Sequence, residues 1–193
     1  MRYFPKQGGW IEVIIGSMFS GKTTELIRRC DRMRRAGRTV QIFSHDDRFA
    51  TDSVVSHNRT SLASTHAETA AQIRDRMQWD AEVIGVDEGQ FYDDELVPVC
   101  RQLAADGKMV IVAGLDQDFR SLPFSVMTNL VAEAEFVDKL CAVCVRCGNP
   151  AIRNYRKSEN EERIVIGADE TYQALCRICF EAALDEERQQ KLF

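Results

Sequence analysis

The stretch that decides the fold is Ile14-Ile15-Gly16-Ser17-Met18-Phe19-Ser20-Gly21-Lys22-Thr23. It fits G-x-x-x-x-G-K-[ST], a pattern in which glycines let the chain curl until successive backbone N–H groups face one anion. An apolar run precedes it and a helical pattern follows, so a helix presents its positive N-terminus to the same anion. Gly16, Ser17, Met18, Phe19, Ser20, Gly21, Lys22 and Thr23 are therefore assigned to the phosphates of a nucleotide. Lys22 would reach the β- and γ-phosphates, and the Thr23 hydroxyl would ligate Mg²⁺.

Outward from this loop, short apolar runs alternate with helical patterns. Strands are expected at 11–15, 39–43, 82–86, 109–114 and 135–140, and helices at 22–36, 67–78 and 92–106. The runs at 82–86 and 109–114 are almost continuously apolar, as in strands covered on both faces. This grammar predicts an α/β fold: a parallel sheet flanked by helices, of the P-loop NTPase type. Residues 44–66 fit it poorly and read as a long loop or small hairpin containing the short run 53–56. His45, His57 and His66 read as polar loop residues.

The run Val83-Ile84-Gly85-Val86 ends in Asp87-Glu88. Neighbouring strand side chains point in opposite directions, so the two carboxylates are expected to do different jobs. Asp87 is placed to support Mg²⁺. Glu88 is left to face the acceptor, a water or a substrate hydroxyl.

Seven cysteines are many for 193 residues, and five of them fall within 141–179. Cys144-Val-Arg-Cys147-Gly148 and Cys176-Arg-Ile-Cys179 are two C-x-x-C pairs that together supply four thiolates for a tetrahedral, structural zinc. Cys141-x-x-Cys144 is also a C-x-x-C pair. Cys144 and Cys147 are preferred because Gly148 permits the tight turn after the second thiolate. The intervening chain makes a sizeable loop clamped at its base, with a short strand at 164–166. Cys30 and Cys100 read as small buried apolar side chains. Residues 1–140 thus form a nucleotide-binding P-loop domain. Residues 141–193 form a small zinc-binding lobe that closes, from residue 181, in a charged helix or a frayed tail.

The remaining composition sets limits. Hydrophobic residues at 45% and charged residues at 28% describe a globular chain and exclude disordered, collagen-like and fibrous ones. No apolar run approaches the roughly 18 residues that span a bilayer, and the first residues lack the apolar stretch of a signal peptide. A soluble, cytoplasmic protein is expected. Lysine plus arginine number 25 against 30 acids, a net charge of −5, which argues against nucleic acid or a membrane as partner. Arg28, Arg29, Arg32, Arg34, Arg35 and Arg38 crowd into one helical segment and read as a solvated face.

GSMFSGKTTEL, DEGQF at 87–91, AGLDQDFRSLPF at 113–124, AVCVRCG at 142–148 and GADETY at 167–172 together resemble the type II, zinc-containing thymidine kinases over residues 9–179. The resemblance implies ATP-dependent phosphorylation of the 5′-hydroxyl of thymidine or deoxyuridine in pyrimidine salvage. It makes Glu88 the base and Arg48, in Asp46-Asp47-Arg48, the arginine that stabilises phosphoryl charge. Met18, Phe91, Leu115, Phe119 and Phe124 match the pocket around base and sugar. The loop between the cysteine pairs looks like the family's lasso, whose main chain at Val165, Ile166 and Gly167 would bond the pyrimidine while Tyr172 holds the sugar. A homotetramer inhibited by thymidine triphosphate is also implied. Asn154, matched by the resemblance to a substrate contact, stands where many members carry Thr in Thr-x-Arg, and Ser44-His45 stands where many carry Lys-Pro. Other readings remain: core packing for Phe119 and Phe124, loop packing for Met18, and seating of the lasso for Tyr172. The rival function is a nucleic-acid-stimulated ATPase with a zinc ribbon, using Glu88 to activate water.

Overall fold

Six parallel strands carry the molecule, in the order β5-β2-β6-β7-β1-β8. The computed structural model describes residues 8–45, 53–55, 61–157 and 171–190. Along the chain these contain β1 (Trp10–Gly16), α1 (Lys22–Arg35), β2 (Val40–Ser44), β3 (Ser53–Val55), β4 (Ser61–Ala63), β5 (Thr65–His66), α2 (Ala70–Arg76) and β6 (Val83–Asp87). A 3₁₀ turn at Gly89–Phe91 leads to α3 (Leu96–Ala105), β7 (Met109–Leu115), α4 (Ser125–Glu133) and β8 (Phe136–Leu140). Then come β9 (Ala142–Val143), β10 (Pro150–Ala151), β11 (Arg153–Arg156), β12 (Tyr172–Leu175) and α5 (Arg177–Gln190).

Consecutive residues of the central strands feed opposite cores, which is why their sequences are continuously apolar. Ile14, Ile111 and Ala113 pack with Leu26, Ile27 and Cys30 of α1. Val13, Val110 and Val112 pack with Ile73 of α2, Leu96 and Leu103 of α3, and Met127 and Leu130 of α4. Cys30 and Cys100 are fully buried, and burial pushes both thiols up to about 12. Both behave as apolar filler.

Several expectations need correction. The segment 44–66 is not only loop or hairpin. Besides the antiparallel pair β3–β4 it supplies β5, a sixth strand, in which His66 pairs with Ser44 of β2. A two-residue strand is too short to show period-2 alternation. Helix α4 went unread because its apolar core residues, Val126, Met127, Leu130 and Val131, repeat over less than two helical turns. Strand β11 lies in a polar stretch whose stability comes from pairing with β12. The final helix starts at Arg177, four residues before 181, because its first turn is packed around the cysteine cluster. The strand expected at 164–166 lies outside the described residues.

The arginine-rich face of α1 is solvated except at Arg29, which is 6% exposed. Arg29 bonds Glu12 of β1 at 2.5 Å, Glu25 at 2.8 Å, and Asp138 of β8. Glu12, itself buried, also accepts from the Trp10 indole at 3.0 Å. A charge buried in this way must be paired, and removing a partner is strongly destabilising. The cluster ties α1 to β1 and β8, and so fixes where the helix N-terminus meets the phosphate loop. Around the edge of the cluster, Arg28 first and then Arg29 hold the Glu25 carboxyl down to about 2, from an ordinary 4.5, against partial burial. The unfolded chain therefore binds the proton first as pH falls. The stability that Glu25 contributes is present above pH 4.5 and lost on the way to about 2. Glu25→Gln should flatten the acid limb of stability across that window while changing stability little in its slope above pH 5, as read by urea denaturation at a series of pH values.

Candidate active site and cysteine cluster

All six strands being parallel, their carboxyl ends lie along one edge, where open α/β sheets bind ligands. Gly16 ends β1 here, and its backbone passes so close to β8 that a Cβ would lie 2.3 Å from the Leu140 carbonyl oxygen. Only glycine fits. The loop then turns through Phe19 and Gly21, both at positive φ (63° and 86°). No side chain caps α1 at Gly21, so the first-turn N–H groups face outward as an anion cradle. The Lys22 ammonium rests on the Ser17 carbonyl at 2.8 Å, and Ser20 Oγ donates to the same oxygen at 2.8 Å.

The second lobe holds this loop from the other side. Ser17 Oγ donates to the Ala151 carbonyl at 3.0 Å, and the Met18 N–H donates to Asn154 Oδ1 at 2.8 Å. Asn154 Nδ2 in turn donates to the Gln117 carbonyl at 2.9 Å. Asn154 is 3% exposed, and both ends of its amide are engaged with protein. Gln117 bonds back to the lobe through the Ile152 carbonyl and Arg153.

Thr23 Oγ1 donates to Asp87, 3.0 Å from Oδ2 and 3.3 Å from Oδ1. Burial, then repulsion from Glu88, pushes the Asp87 carboxyl up to about 7 despite the Thr23 bond. Burial likewise lowers the Lys22 ammonium, opposed by Glu88, Asp87 and Asp116. A hydroxyl and a carboxylate facing each other, with acid charge crowded around one lysine, are the oxygen donors that Mg²⁺ takes. Glu88 follows in the left-handed region, at φ 54° and ψ 42°, a conformation costing roughly 1–2 kcal/mol for a residue with a Cβ. The buried Gln90 stabilises it: its Nε2 donates to the Glu88 carboxylate, and its Oε1 accepts the Leu115 N–H at 2.8 Å. The sequence reading missed Gln90, although it lies inside the DEGQF segment.

Of the pocket residues, Met18, Phe91, Leu115 and Phe119 are half-buried. Phe124 belongs to the core with Tyr92 and Leu96. The Arg156 guanidinium lies 3.6 Å over the Phe119 ring and donates to the Tyr172 hydroxyl at 2.8 Å. His45 packs its ring against Phe91 and Tyr92, at 5.5 and 5.3 Å between centroids. Arg48, His57, Val165, Ile166 and Gly167 lie outside the described residues. The ribbon of β11 and β12 that carries the loop toward 158–170 is described, closing with Lys157 N–H to the Thr171 carbonyl at 3.0 Å.

At the root of that ribbon the Sγ atoms of Cys144, Cys147, Cys176 and Cys179 all lie within 4.8 Å of one another. Cys141 is exposed and is not in the group. Gly148, at φ 76°, makes the turn after Cys147, with its N–H on the Cys144 carbonyl at 2.9 Å. Burial raises the Cys144 thiol, but N–H donors from Cys176, Arg146 and Cys147 outweigh it and bring it to about 6. Cys179 is pushed up to about 12, first by its bond with Cys147. Four thiols this close cannot all ionise without a cation among them. A tetrahedral Zn²⁺ with bonds of about 2.3 Å needs sulfurs about 3.8 Å apart, so the donor set fits zinc.

Fold and site define a P-loop nucleotide-binding protein with a four-cysteine lobe. The profile described as thymidine kinase matches residues 9–180. The chain is 49% identical over 175 residues to a thymidine kinase of Rhodothermus sp. (strain ITI 518), covering 90% of this chain and 82% of that one. It is 44% identical over 186 residues to a thymidine kinase of Bacteroides fragilis, covering 95% and 93%. Among solved structures, the flagellar accessory protein FlaH of Methanocaldococcus jannaschii shares the fold, with a TM-score of 0.52 and 14% identity over 75% of this chain and 76% of that one. The chain belongs to the thymidine kinase family.

Elemental analysis should find one zinc per chain. Serine at Cys144, Cys147, Cys176 or Cys179 should release it, whereas Cys141→Ser should keep it. Zinc lost from Cys141→Ser but retained in Cys147→Ser would show that Cys141 is a ligand in place of Cys147.

Proposed function

We propose that this thymidine kinase transfers the γ-phosphoryl group of ATP to the 5′-hydroxyl of thymidine or deoxyuridine, with Glu88 as general base. The observation that carries the assignment is the Thr23–Asp87 contact, which brings the phosphate loop against the acid-bearing strand and places Glu88 one residue beyond it. In the reaction the bond between the γ-phosphorus and the bridging oxygen of ATP breaks. A bond forms from the nucleoside 5′-oxygen, and the proton of that hydroxyl passes to Glu88. The backbone of 16–23 binds the phosphates. Lys22 leaves the Ser17 carbonyl to follow the charge that develops on the transferred group. Thr23 and Asp87 would hold Mg²⁺, which supplies neutralisation of phosphate charge when bound. Gln90 keeps the Glu88 carboxylate aimed at the acceptor. Arg48 is assigned the remaining phosphoryl charge on resemblance alone.

The nucleoside is assigned to the junction of the lobes, against Met18, Phe91, Leu115 and Phe119. Phe124 supports this wall from the core, and Arg156 and Tyr172 form its far side. The structure favours a bracing role for Asn154, whose amide is spent on Met18 and Gln117. The main chain of Val165, Ile166 and Gly167 would read the pyrimidine edge. A site that hydrogen-bonds one edge rejects molecules that leave its groups unpaired, often by about 10⁴. The reading also takes the protein to act in the cytoplasm. Within the described residues no helix is long and apolar enough to cross a membrane.

Two measurements test the assignment. Glu88→Gln should lower kcat by about 10² or more with a much smaller change in thymidine KM. A rise in KM with kcat retained would make Glu88 a substrate-positioning residue. In a panel of four deoxynucleosides at equal concentration, thymidine and deoxyuridine should be phosphorylated, and deoxyadenosine and deoxyguanosine should be poor. Comparable kcat/KM for purines would contradict pyrimidine reading by the loop.

A further inference from the structure

Asp116 lies outside the residues assigned to phosphate, magnesium and nucleoside. It follows β7, and β7 lies between β6, which ends in Asp87, and β1, which ends in the phosphate loop. In the β1–β7 register Leu115 pairs with Gly16. Asp116 is therefore the first residue past the sheet, at the floor of that loop.

Lys139 of β8 pairs with Ile15 of β1, and its Nζ meets Asp116 Oδ2 at 2.7 Å. Because β1 runs between β7 and β8, the ion pair spans the end of β1 just below Gly16. Lys139 is 50% exposed, whereas the Asp116 side chain is 12% exposed. The other carboxylate oxygen, Oδ1, is shut off from solvent and has no hydrogen-bond partner. Leaving such an acceptor unsatisfied carries the full desolvation penalty, and native structures contain few of them. A simple ion pair with Lys139 accounts for Oδ2 and leaves Oδ1 unexplained. The charge on Asp116 also reaches the Lys22 ammonium, together with Asp87 and Glu88.

We propose that Asp116 is a positioning residue for phosphoryl transfer: Oδ1 accepts a hydrogen bond from water on the magnesium that Thr23 and Asp87 hold, and Lys139 fixes the carboxylate for that contact. The position suits this role. Groups that orient metal-bound ligands from outside the ligand set usually change metal affinity or activity by about 10–100-fold when removed. Asp116 acts through the metal's water and touches neither nucleoside nor phosphate. The inference rests on the kinase reading for the identity of the metal–nucleotide complex.

The test titrates a fluorescent ATP analogue into the full-length, zinc-loaded protein with and without Mg²⁺. For Asp116→Asn, the tightening that Mg²⁺ produces should shrink by about tenfold or more, while affinity without Mg²⁺ stays near wild type. In turnover, kcat should fall with little change in thymidine KM. Lys139→Gln, at an exposed position, should lose part of the same Mg²⁺ effect, and this variant decides the matter if Asp116→Asn does not fold. A wild-type Mg²⁺ effect in both variants overturns the proposal. So does an equal loss of affinity with and without Mg²⁺, which would mark Asp116 as purely structural. Thymidine phosphorylation by the unaltered protein is measured in the same preparation. Its absence would refute the kinase reading, while the Mg²⁺ titration still judges Asp116.

Discussion

The hydrogen bond from the Met18 N–H to Asn154 Oδ1 joins the two halves of the molecule at the point where the chemistry is assigned. A phosphate loop works only if its N–H groups stay turned toward one centre, and such a loop has little internal structure to enforce that. Here β1 holds one end, α1 holds the other, and the second lobe grips the middle through Ser17 and Met18. Phe19 extends the grip by packing beside Cys144, Ala151 and Phe180. The cysteine cluster therefore stabilises more than its own lobe: by fixing the root of the β11–β12 ribbon it also fixes the strand that braces the loop. On the proposed assignment, nucleotide and nucleoside would then both be held at one junction, which suits a transfer between them.

Electrostatics at that junction is arranged around Lys22. Three carboxylates act on it, yet burial still lowers its proton affinity, and Asp87 is raised toward neutral pH by the same burial. Two opposite charges are thus both held at a cost in the free protein. Binding of a polyanion with a divalent cation, as proposed, would relieve both, because each group would gain a partner of opposite charge. The strained backbone at Glu88 belongs with this. An extended residue at that position would continue β6, whereas the left-handed turn takes the carboxylate off the strand and onto Gln90.

The parts legible in the sequence are those fixed by spacing along the chain. The phosphate loop, Asp87-Glu88 and the two cysteine pairs are each local patterns, and the central strands show themselves because both faces are covered. What could not be read depends on partners distant in sequence. Glu12 interrupts an apolar run, and only the approach of Arg29 and Asp138 explains why an acid is tolerated there. Asn154 finds Met18 across 136 positions, and nothing local to either residue announces the bond. Strand β5, at two residues, and helix α4, at nine, are too short for a period to stand out, so tertiary pairing decides both. Asp116 stood in plain view within AGLDQDFRSLPF, but its unpartnered oxygen exists only once β7 lies between β1 and β6.

The central claim is that phosphate loop, acid pair and clamped lobe serve transfer to a nucleoside and not to water. The most direct measurement follows the label from γ-labelled ATP when thymidine is supplied, with and without added DNA. The account predicts one labelled thymidine monophosphate for each ADP formed, little free phosphate, and no response to DNA. Free phosphate accumulating without labelled nucleoside, and rising with DNA, would contradict it.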